Sequence, residues 1–362
     1  MKDLALGSVI FDGEEMRDGF LRVQGSEVVE VCSGAPSGDF QKGLVLPGFV
    51  NAHTHIGDSF AYPAPKMPLE ELVAHPGGYK HRVLRAAARS TKADGITQSL
   101  DIMTACGTAV FADFREEGLE GIRILDGVLR DLHPRAVRLC RPVSDDVTAA
   151  ETKALLAASE GFGMSSVSDH RIEVLERLSK AAHAQGKLFS IHVSEVGRED
   201  IESVLSLRPD FVVHAAAATD DDLAALAAVR VPVVVCPRSN EFFGIQLDIP
   251  RMLAAGLTLA LGTDNGMVCK PDMIEEVKAA FRLSMARGGI TPLDALRMGT
   301  VLGRKVLKAE GNTTAGAESE QDFTVVRAQG KDPAMEMVTA VESRDVLAVV
   351  RGGKVRRFTG CR

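Results

Sequence analysis

Residues 47–55 read Pro47-Gly48-Phe49-Val50-Asn51-Ala52-His53-Thr54-His55, an apolar run that ends in two histidines one residue apart. Successive side chains on a β-strand point to opposite faces, so His53 and His55 emerge on the same side and can converge on one ion. Two histidines on a solvated turn would have the same spacing, and the pair alone does not separate the two alternatives. The segment predicts the start of a metal site, provided that the rest of the chain supports it.

The composition sets the broad class of protein. A chain of 362 residues can form one large domain, alone or with a small companion. Its hydrophobic share of 45% and charged share of 25% are typical of globular proteins, and its formal charge of -7 argues against a nucleic-acid or acidic-membrane partner. The six cysteines form no CxxC pair, which favours reduced thiols. With no membrane-spanning run and no signal-type segment, we expect a cytoplasmic protein.

A repeating unit begins at residue 44, with a short apolar strand followed by a longer amphipathic segment. The candidate strands are 44–52, 108–114, 136–143, 161–167, 188–193, 211–215, 231–236 and 257–262. The helical patterns are 94–105, 118–131, 146–159, 169–185, 197–207, 219–229, 248–255, 271–286 and 292–309. Thr219, and Asp248 with Pro250, are start signals for two of these helices. Eight strands each followed by a helix predict an α/β protein with a (β/α)8 TIM-like barrel.

The two ends of the chain have a different texture. Residues 1–48 contain short apolar runs separated by glycine turns and no helical pattern, and 322–360 returns to strand-like runs after a Gly/Thr/Glu-rich linker at 310–321. We therefore expect 1–48 plus 322–362 to form a composite, β-sandwich-like small domain beside a barrel at 49–321. The connection 56–93 holds too many prolines and glycines for one helix, and a loop this long after a barrel strand is typically a lid or part of the pocket.

Polar residues collect where the predicted strands end, which in a barrel is one common mouth. They are His53, His55, His192, Glu195, His214, Ser239, Asn240 and Asp264. Taken singly, His192 or His214 could be a core histidine, and Asp264 could be a turn or N-cap residue. Together they favour a functional site.

The residue types suit metal-assisted hydrolysis. Imidazoles with a carboxylate bind Zn²⁺ or a similar divalent ion, and a catalytic ion lowers the pKa of its bound water from 15.7 toward about 7. Glu195, three residues beyond His192, is placed to shuttle the proton to the leaving atom. Asp264 could be a ligand or a base for the water, and the sequence leaves both roles open.

The chain resembles the amidohydrolase superfamily, within it the cytosine, guanine and adenosine-type deaminases and the triazine hydrolases (chlorohydrolases). The motifs that carry the resemblance are 46–55, Ile191-His192-Val193-Ser194-Glu195, Val213-His214, Cys236-Pro237-Arg238-Ser239-Asn240 and Leu261-Gly262-Thr263-Asp264. They follow the family order and span nearly the whole chain. The binuclear amide and ester hydrolases of the superfamily usually have a carboxylated lysine on strand four, and 161–167 contains no lysine, so the resemblance implies a mononuclear site.

The resemblance further implies the role of each site residue. His53, His55, His192 and Asp264 would ligate one divalent ion, Zn²⁺ in the first place, although Fe²⁺ and Mn²⁺ accept the same ligands. Glu195 would be the general acid/base, and His214 would orient the attacking water. The expected reaction is deamination of an amino-substituted heterocycle, such as a purine, pyrimidine or nucleoside-like compound, by metal-bound hydroxide with release of ammonia. Hydrolysis of a cyclic amide or a substituted triazine is the alternative, and a non-catalytic binding barrel is disfavoured because every expected catalytic position is filled.

The substrate contacts are predicted from the mouth of the barrel and from the long connection. Phe60 and Tyr62 are apolar rings suited to a flat heterocycle, and Ser239 and Asn240 follow strand seven. In the cationic cluster 80–82, Arg82 could hold an anionic group of a substrate, or the cluster could lie on the solvated face of a helix that starts near residue 78. The partner is expected to be a small heterocyclic molecule, and the oligomeric state, homo-oligomers included, stays open.

Overall fold

A computed structural model of the chain describes residues 4–38, 40–74, 77–309, 322–328 and 330–358, and the predicted linker 310–321 lies outside them. The strands, in chain order, are β1 (Leu4–Leu6), β2 (Val9–Phe11), β3 (Met16–Gln24), β4 (Glu27–Ser33), β5 (Phe40–Gln41), β6 (Leu44–Pro47), β7 (Phe49–His55), β8 (Thr108–Arg115), β9 (Arg135–Cys140), β10 (Gly161–Met164), β11 (Leu188–Val193), β12 (Phe211–His214), β13 (Val233–Val235), β14 (Leu259–Leu261), β15 (Asp264–Asn265), β16 (Phe323–Val326), β17 (Val346–Arg351) and β18 (Lys354–Arg357). The α-helices are α1 (Leu69–Val73), α2 (Tyr79–Ala86), α3 (Arg89–Ala105), α4 (Gly118–Val128), α5 (Ala149–Ala158), α6 (Ile172–His183), α7 (Ile201–Ser206), α8 (Asp220–Ala228), α9 (Pro237–Phe243), α10 (Ile249–Ala254), α11 (Met273–Ser284), α12 (Pro292–Gly299), α13 (Val301–Val306) and α14 (Pro333–Thr339).

Strands β7 to β14 form a parallel sheet in which each strand pairs with the next one along the chain. Two residues after β14, strand β15 pairs in parallel with β7, so that Asp264 lies opposite Thr54 and Asn265 opposite His55. The last strand therefore returns to the first, and the chain forms a TIM-like barrel within a mixed α/β protein, as the repeating strand and helix pattern predicts.

The prediction of one continuous strand over 44–52 is wrong. Strand β6 pairs with β2 and β16 in one sheet, whereas β7 pairs with β8 in the other. The break is at Gly48, where an added Cβ would lie 2.6 Å from the Cβ of Ala109. Since buried apolar residues flank the glycine on both sides, the hydrophobic pattern runs through the break and hides it.

The strands at the two chain ends pair into a second sheet, as predicted, but this sheet is not sandwich-like. Strand β2 pairs with both β6 and β3, which closes β2, β6, β16, β17, β18, β4 and β3 into a ring of seven strands. Each strand of the ring has two neighbours, so the ring has no open edge. The domain boundaries themselves, 1–48 plus 322–362 and 49–321, stay a prediction.

Each of the nine predicted helical segments contains a helix, although 292–309 is interrupted at Thr300. The two start signals act as expected: the Thr219 side chain accepts a hydrogen bond from the backbone N–H of Asp222, and Asp248 accepts one from that of Arg251. No helix in the described residues has both the length and the apolar character that crossing a membrane requires.

Helix α14 lies in the stretch 322–360, where the sequence pattern predicts strands alone. Its N-cap, Asp332, accepts a hydrogen bond from the backbone N–H of Met335, and Pro333 occupies the first helical turn. This Asp and Pro combination is the start signal that also precedes α10. The helix was therefore detectable from local chemistry, but the flanking β-rich segments obscured it.

The connection 56–93 contains α1, α2 and a 3₁₀ turn at Ile56–Ala61. A hydrogen bond from the backbone N–H of Ala64 to the carbonyl of Met267 joins the connection to the loop after β15. Leu72 and Met267 also belong to one buried apolar cluster. The described residues of the connection thus form a wall over the C-terminal ends of the barrel strands, consistent with the prediction of a pocket element.

Closure of the barrel is supported by a reciprocal contact between its first strand, β7, and Thr263, the residue that precedes β15. The Asn51 side chain donates to the Thr263 hydroxyl at 2.7 Å and accepts from the Thr263 backbone N–H at 3.0 Å, and both residues are fully buried. Asn51→Ala should lower the stability by about 1–3 kcal/mol, because it leaves a buried N–H without a partner. Urea unfolding measures the change, and Gln98→Ala on an exposed face of α3 is the control. Equal midpoints for both variants would contradict the assignment.

Candidate metal centre

Four predicted side chains converge at the C-terminal ends of the barrel strands. His53 and His55 come from β7, His192 from β11 and Asp264 from β15, and one ligand atom of each lies within 4.8 Å of all the others. His53 and Asp264 are 211 positions apart in the sequence. A side chain at Gly262 would clash with the backbone and Cβ of His53, so the glycine permits this close approach.

The distances between the ligand atoms fit one small cation. His53 Nε2 lies 3.3 Å from Asp264 Oδ1, His55 Nε2 lies 3.4 Å from His192 Nε2, and His55 Nε2 lies 3.8 Å from Asp264 Oδ1. Ligands about 2.0–2.1 Å from a tetrahedral zinc ion are about 3.3–3.4 Å from one another. The first two separations match this value, and the third, 3.8 Å, is longer.

The hydrogen bonds of two rings show why the cluster needs a cation. His192 Nδ1 lies 2.7 Å from the Met164 carbonyl, and His55 Nδ1 lies 2.8 Å from the Glu116 carboxylate. Both partners only accept hydrogen bonds, so each Nδ1 donates, and in the metal-binding form each Nε2 presents a lone pair to the other ring. Burial also keeps the pKa of His192 well below its usual value, so protonation does not relieve the repulsion. The two lone pairs fit a bound metal ion.

Asp264 is held ionised and oriented from two sides. Its Oδ2 accepts a hydrogen bond of 2.6 Å from the Ser239 hydroxyl, while Oδ1 faces His53. Burial raises the pKa of Asp264, but the contact with His53 and the neighbouring imidazoles hold it well below its usual range. Ser239 therefore supports the cluster through Asp264.

Three residues at these strand ends have strained backbones. The φ angles are 62° at Asp264, 76° at His214 and 46° at Ser194, all in the left-handed region that side-chain-bearing residues rarely adopt. Strain of this kind persists only where the surrounding structure imposes it, and it concentrates at functional sites.

Glu195 and His214 lie beside the four-ligand cluster. His214 Nε2 is 3.5 Å from Glu195 Oε2, and Glu195 Oε1 has no hydrogen-bond partner among the described residues. Burial raises the pKa of Glu195 to about 7, although the charge of His214 opposes the shift. A carboxyl group that titrates near neutral pH and lines a cavity can exchange a proton with a bound molecule.

The cavity above the cluster has a volume of about 450 Å³ and is lined by His55, His192, Glu195, His214 and Asp264, together with helix α2 and the loops after β10 and β11. Such a volume lies in the usual range for sites of small molecules, about 300–1,000 Å³. The barrel mouth therefore offers a hydrolytic centre with room for a small substrate.

Several predicted substrate residues do not line this cavity. Phe60 packs against Gly95 of α3, Tyr62 is 46% exposed beside Lys270, and Asn240 is buried outside the cavity wall. Arg82 is exposed and donates to the carbonyl of Gly77, so the prediction that it reads the substrate is not supported by its position.

The alternative prediction, that residues 80–82 lie on the solvated face of a helix, is correct for Arg82 and wrong for Lys80. Lys80 is only 3% exposed, lines the cavity and forms ion pairs with Glu116 and Asp58. The position on α2 decides this: Lys80 and His81 lie on the inner face of the helix, whereas Arg82 lies on the outer face.

Two polar residues at strand ends, Glu116 and Arg141, are absent from the predicted site. Glu116 directly follows β8 and holds His55, and Arg141 directly follows β9 and lines the cavity. Burial alone raises the pKa of Glu116, but Lys80 and His55 keep it well below its usual value and so ionised. The strand-end rule that identified His192 also points to Glu116, which comes just after the predicted strand 108–114. Arg141 lies inside the predicted strand 136–143, because the strand in the structure already ends at Cys140.

Comparisons with known proteins identify the family. Residues 44–356 match the profile of the Amidohydrolase family. The chain belongs to the amidohydrolase family. The match covers the barrel and part of the small β domain, so it includes every residue of the cluster.

Three relatives of this amidohydrolase align over most of their length. An uncharacterised protein of Methanocaldococcus jannaschii is 32% identical over 331 residues, which cover 84% of this chain and 86% of the relative. A protein of Methanothermobacter thermautotrophicus, provisionally named an aminohydrolase, is 30% identical over 349 residues and 89% of each chain. A 5-methylthioadenosine/S-adenosylhomocysteine deaminase of Moorella thermoacetica is 26% identical over 360 residues, which cover 88% of this chain and 82% of the relative.

Two solved structures share the fold. A zinc-bound adenosine deaminase of Xanthomonas campestris superposes with a TM-score of 0.79 at 20% identity and covers 98% of this chain and 93% of its own. The guanine deaminase of E. coli has a TM-score of 0.77 at 16% identity and covers 99% of this chain and 100% of its own. The family and its deaminase-named relatives show that this amidohydrolase is a hydrolase of carbon–nitrogen bonds other than peptide bonds, and support hydrolytic deamination in general.

The cluster predicts a mononuclear site. We expect the purified protein to bind about one equivalent of divalent metal, and His192→Ala to lose most of it, because the ring is one of the four converging donors. Elemental analysis after gel filtration measures the content, with His133→Ala outside the site as the control. Two tightly bound equivalents would contradict the mononuclear site.

The contact of Glu116 with His55 predicts that a substitution at Glu116 weakens metal binding less than removal of a ligand does. Glu116→Gln should lower metal affinity roughly 10–100-fold, because an ionised partner orients the ring and raises its basicity. Competition with a chelator measures the affinity. Glu117→Gln, which changes the adjacent carboxylate paired with Lys92, should leave it unaltered, and equal affinities for both variants would contradict the role of Glu116.

Proposed function

We propose that the protein is a metal-dependent aminohydrolase that removes an amino group from a heterocycle, such as a purine, a pyrimidine or a nucleoside-like compound. The observation that carries the proposal is the position of Glu195. Its carboxyl group lines the cavity next to four converging metal-type donors and has a raised pKa of about 7. Family membership and the deaminase names of relatives support the same reaction class.

His53, His55, His192 and Asp264 would hold one divalent ion, zinc in the first place. Imidazole and carboxylate donors suit zinc, and the adenosine deaminase with the same fold is a zinc-bound structure. When bound, such an ion lowers the pKa of a water toward about 7 and makes it a nucleophile at neutral pH.

Glu195 would carry the protons of the reaction. Deamination of a ring amidine requires a proton on the ring nitrogen as water adds to the neighbouring carbon, and a second proton on the departing amino group. A carboxyl group with a pKa near 7 can both accept and donate at neutral pH. Its Oε1 has no partner among the described residues, and Glu195 is one of the residues that line the cavity, so the carboxyl group lies where a substrate would bind.

His214 would orient the attacking water. Its Nε2 faces Glu195 at 3.5 Å, and its strained backbone fixes the ring at the end of β12. We assign it a contact with the water; His214 groups with Glu195 and Asp264 and is not one of the four side chains His53, His55, His192 and Asp264 that converge together.

The reaction class is tested by ammonia release from purines, pyrimidines, pterins and their nucleosides with zinc-reconstituted enzyme. Turnover with stoichiometric ammonia would support the proposal. Hydrolysis of cyclic amides or substituted triazines without ammonia release would replace it with the alternative reaction at the same centre.

The proton-transfer role is tested by Glu195→Gln. The amide keeps the shape of the side chain but cannot titrate, so metal content should stay unchanged while kcat falls by roughly two to four decades. Glu202→Gln on an exposed position of α7 is the control. A Glu195→Gln enzyme with full activity would remove Glu195 from the mechanism, and His214→Asn should likewise lose rate but keep metal.

A further inference from the structure

Arg141 is a buried cation in the wall of the active-site cavity. It directly follows β9, is 5% exposed and lines the same space as Glu195 and the ligand cluster. Its backbone N–H is anchored to the Arg115 carbonyl at 2.9 Å, so the side chain leaves a fixed strand end.

The other cations of this cavity are neutralised within the protein. Lys80 forms ion pairs with Glu116 and Asp58, and Arg198 donates two hydrogen bonds of 2.8 Å to the carboxylate of Asp222. Arg141 differs. Its side-chain hydrogen bond among the described residues is long, because Nε lies 3.5 Å from the carbonyl oxygen of Gly163. It forms no ion pair with any described carboxylate.

An uncompensated guanidinium in a buried position is costly, since an unpaired buried charge loses its hydration. Burial lowers the pKa of Arg141, and the charges of Glu116 and Asp169 offset this effect from a distance. Asp169 and Glu70 also line the cavity, but both are exposed and neither pairs with Arg141. The terminal nitrogens of Arg141 are therefore available to a ligand.

We propose that Arg141 binds an anionic group of the substrate, a carboxylate or a phosphate, while the heterocycle occupies the metal centre. A guanidinium presents parallel N–H donors that match both anions in a bidentate contact. The proposal rests on the proposed function, because it places the anion on the substrate of that same reaction. It also replaces the predicted role of Arg82, which lies outside the cavity.

The position of Arg141 suits a substituent beside the reacting ring. Its charge acts on the pKa of both His192 and Glu116, so it lies near the ligand cluster without belonging to it. A cavity of about 450 Å³ accommodates more than a bare ring within the range for small-molecule sites. The substrate class is thus an aminated heterocycle that carries an acidic group.

The test compares adenine, guanine and cytosine nucleosides with their 5′-carboxylates and 5′-monophosphates. Binding is measured by calorimetry on zinc-loaded Glu195→Gln protein, with and without Arg141→Gln, and turnover is measured in the active background. Arg123→Gln, on the surface of α4 and 65% exposed in its side chain, is the matched control. Zinc content of each variant confirms that the centre is intact.

We expect one of the two anionic series to bind more tightly than the neutral nucleosides, and the comparison identifies carboxylate or phosphate. Arg141→Gln should raise KM and Kd of that series by about 30-fold or more, as removal of one partner of a buried charge pair does. KM and Kd of the neutral compounds should change by less than about threefold. Arg141→Lys should restore part of the affinity, since it keeps the charge but loses the planar fork.

Equal losses on neutral and anionic compounds would assign Arg141 to the heterocycle itself and overturn the proposal, as would anions that bind no more tightly than the nucleosides. These outcomes are independent of the reaction class. If the anionic series shows Arg141-dependent binding but no compound releases ammonia, the proposed function fails and the anion contact stands. If ammonia is released and Arg141→Gln changes neither binding nor turnover, the proposed function stands and the anion contact fails.

Discussion

The arrangement of the whole barrel mouth depends on lone pairs that face one another in a buried cluster. The Nε2 atoms of His55 and His192 lie 3.4 Å apart, and each ring is already committed to donate through Nδ1. Burial holds the pKa of His192 well below its usual value, so this ring does not relieve the repulsion by taking up a proton, whereas a shared cation does. The surrounding contacts serve this requirement: Glu116 and the Met164 carbonyl set the rings, and Ser239 sets Asp264.

The barrel supplies the geometry that such a cluster demands. Ligands from β7, β11 and β15 meet because parallel strands end at one rim, and the pairing of β15 with β7 brings Asp264 beside the histidine strand. Close approach is possible only because Gly262 has no side chain to meet His53. The reciprocal hydrogen bonds of Asn51, on β7, and Thr263, directly before β15, help to hold these two strands together.

Charge is distributed unevenly around the cavity. Some charged residues are paired within the protein and hold the metal ligands, whereas others have groups free to contact a substrate. Glu116 is ionised and shared between His55 and Lys80, so that part of the wall is neutral and rigid. Glu195 has a carboxyl oxygen without a partner, and Arg141 has terminal nitrogens without a carboxylate, among the described residues. Groups with unused hydrogen-bonding capacity are the ones that a substrate can engage, whereas the satisfied groups keep the centre in place.

Sequence alone predicted the barrel pattern and the polar residues at its mouth, Glu195 among them, because in β/α repeats polar residues appear where buried strands end, and that signal is local. The choice of four metal ligands among them came from the resemblance to the amidohydrolase superfamily. The sequence did not reveal the break at Gly48 or the closure of the small β domain, since apolar runs continue through both. It also selected Arg82 in place of Arg141. Which cation faces the cavity depends on the orientation of α2 and on the packing of β9 against β8 and β10. These are contacts between distant segments, so only the tertiary structure could decide them.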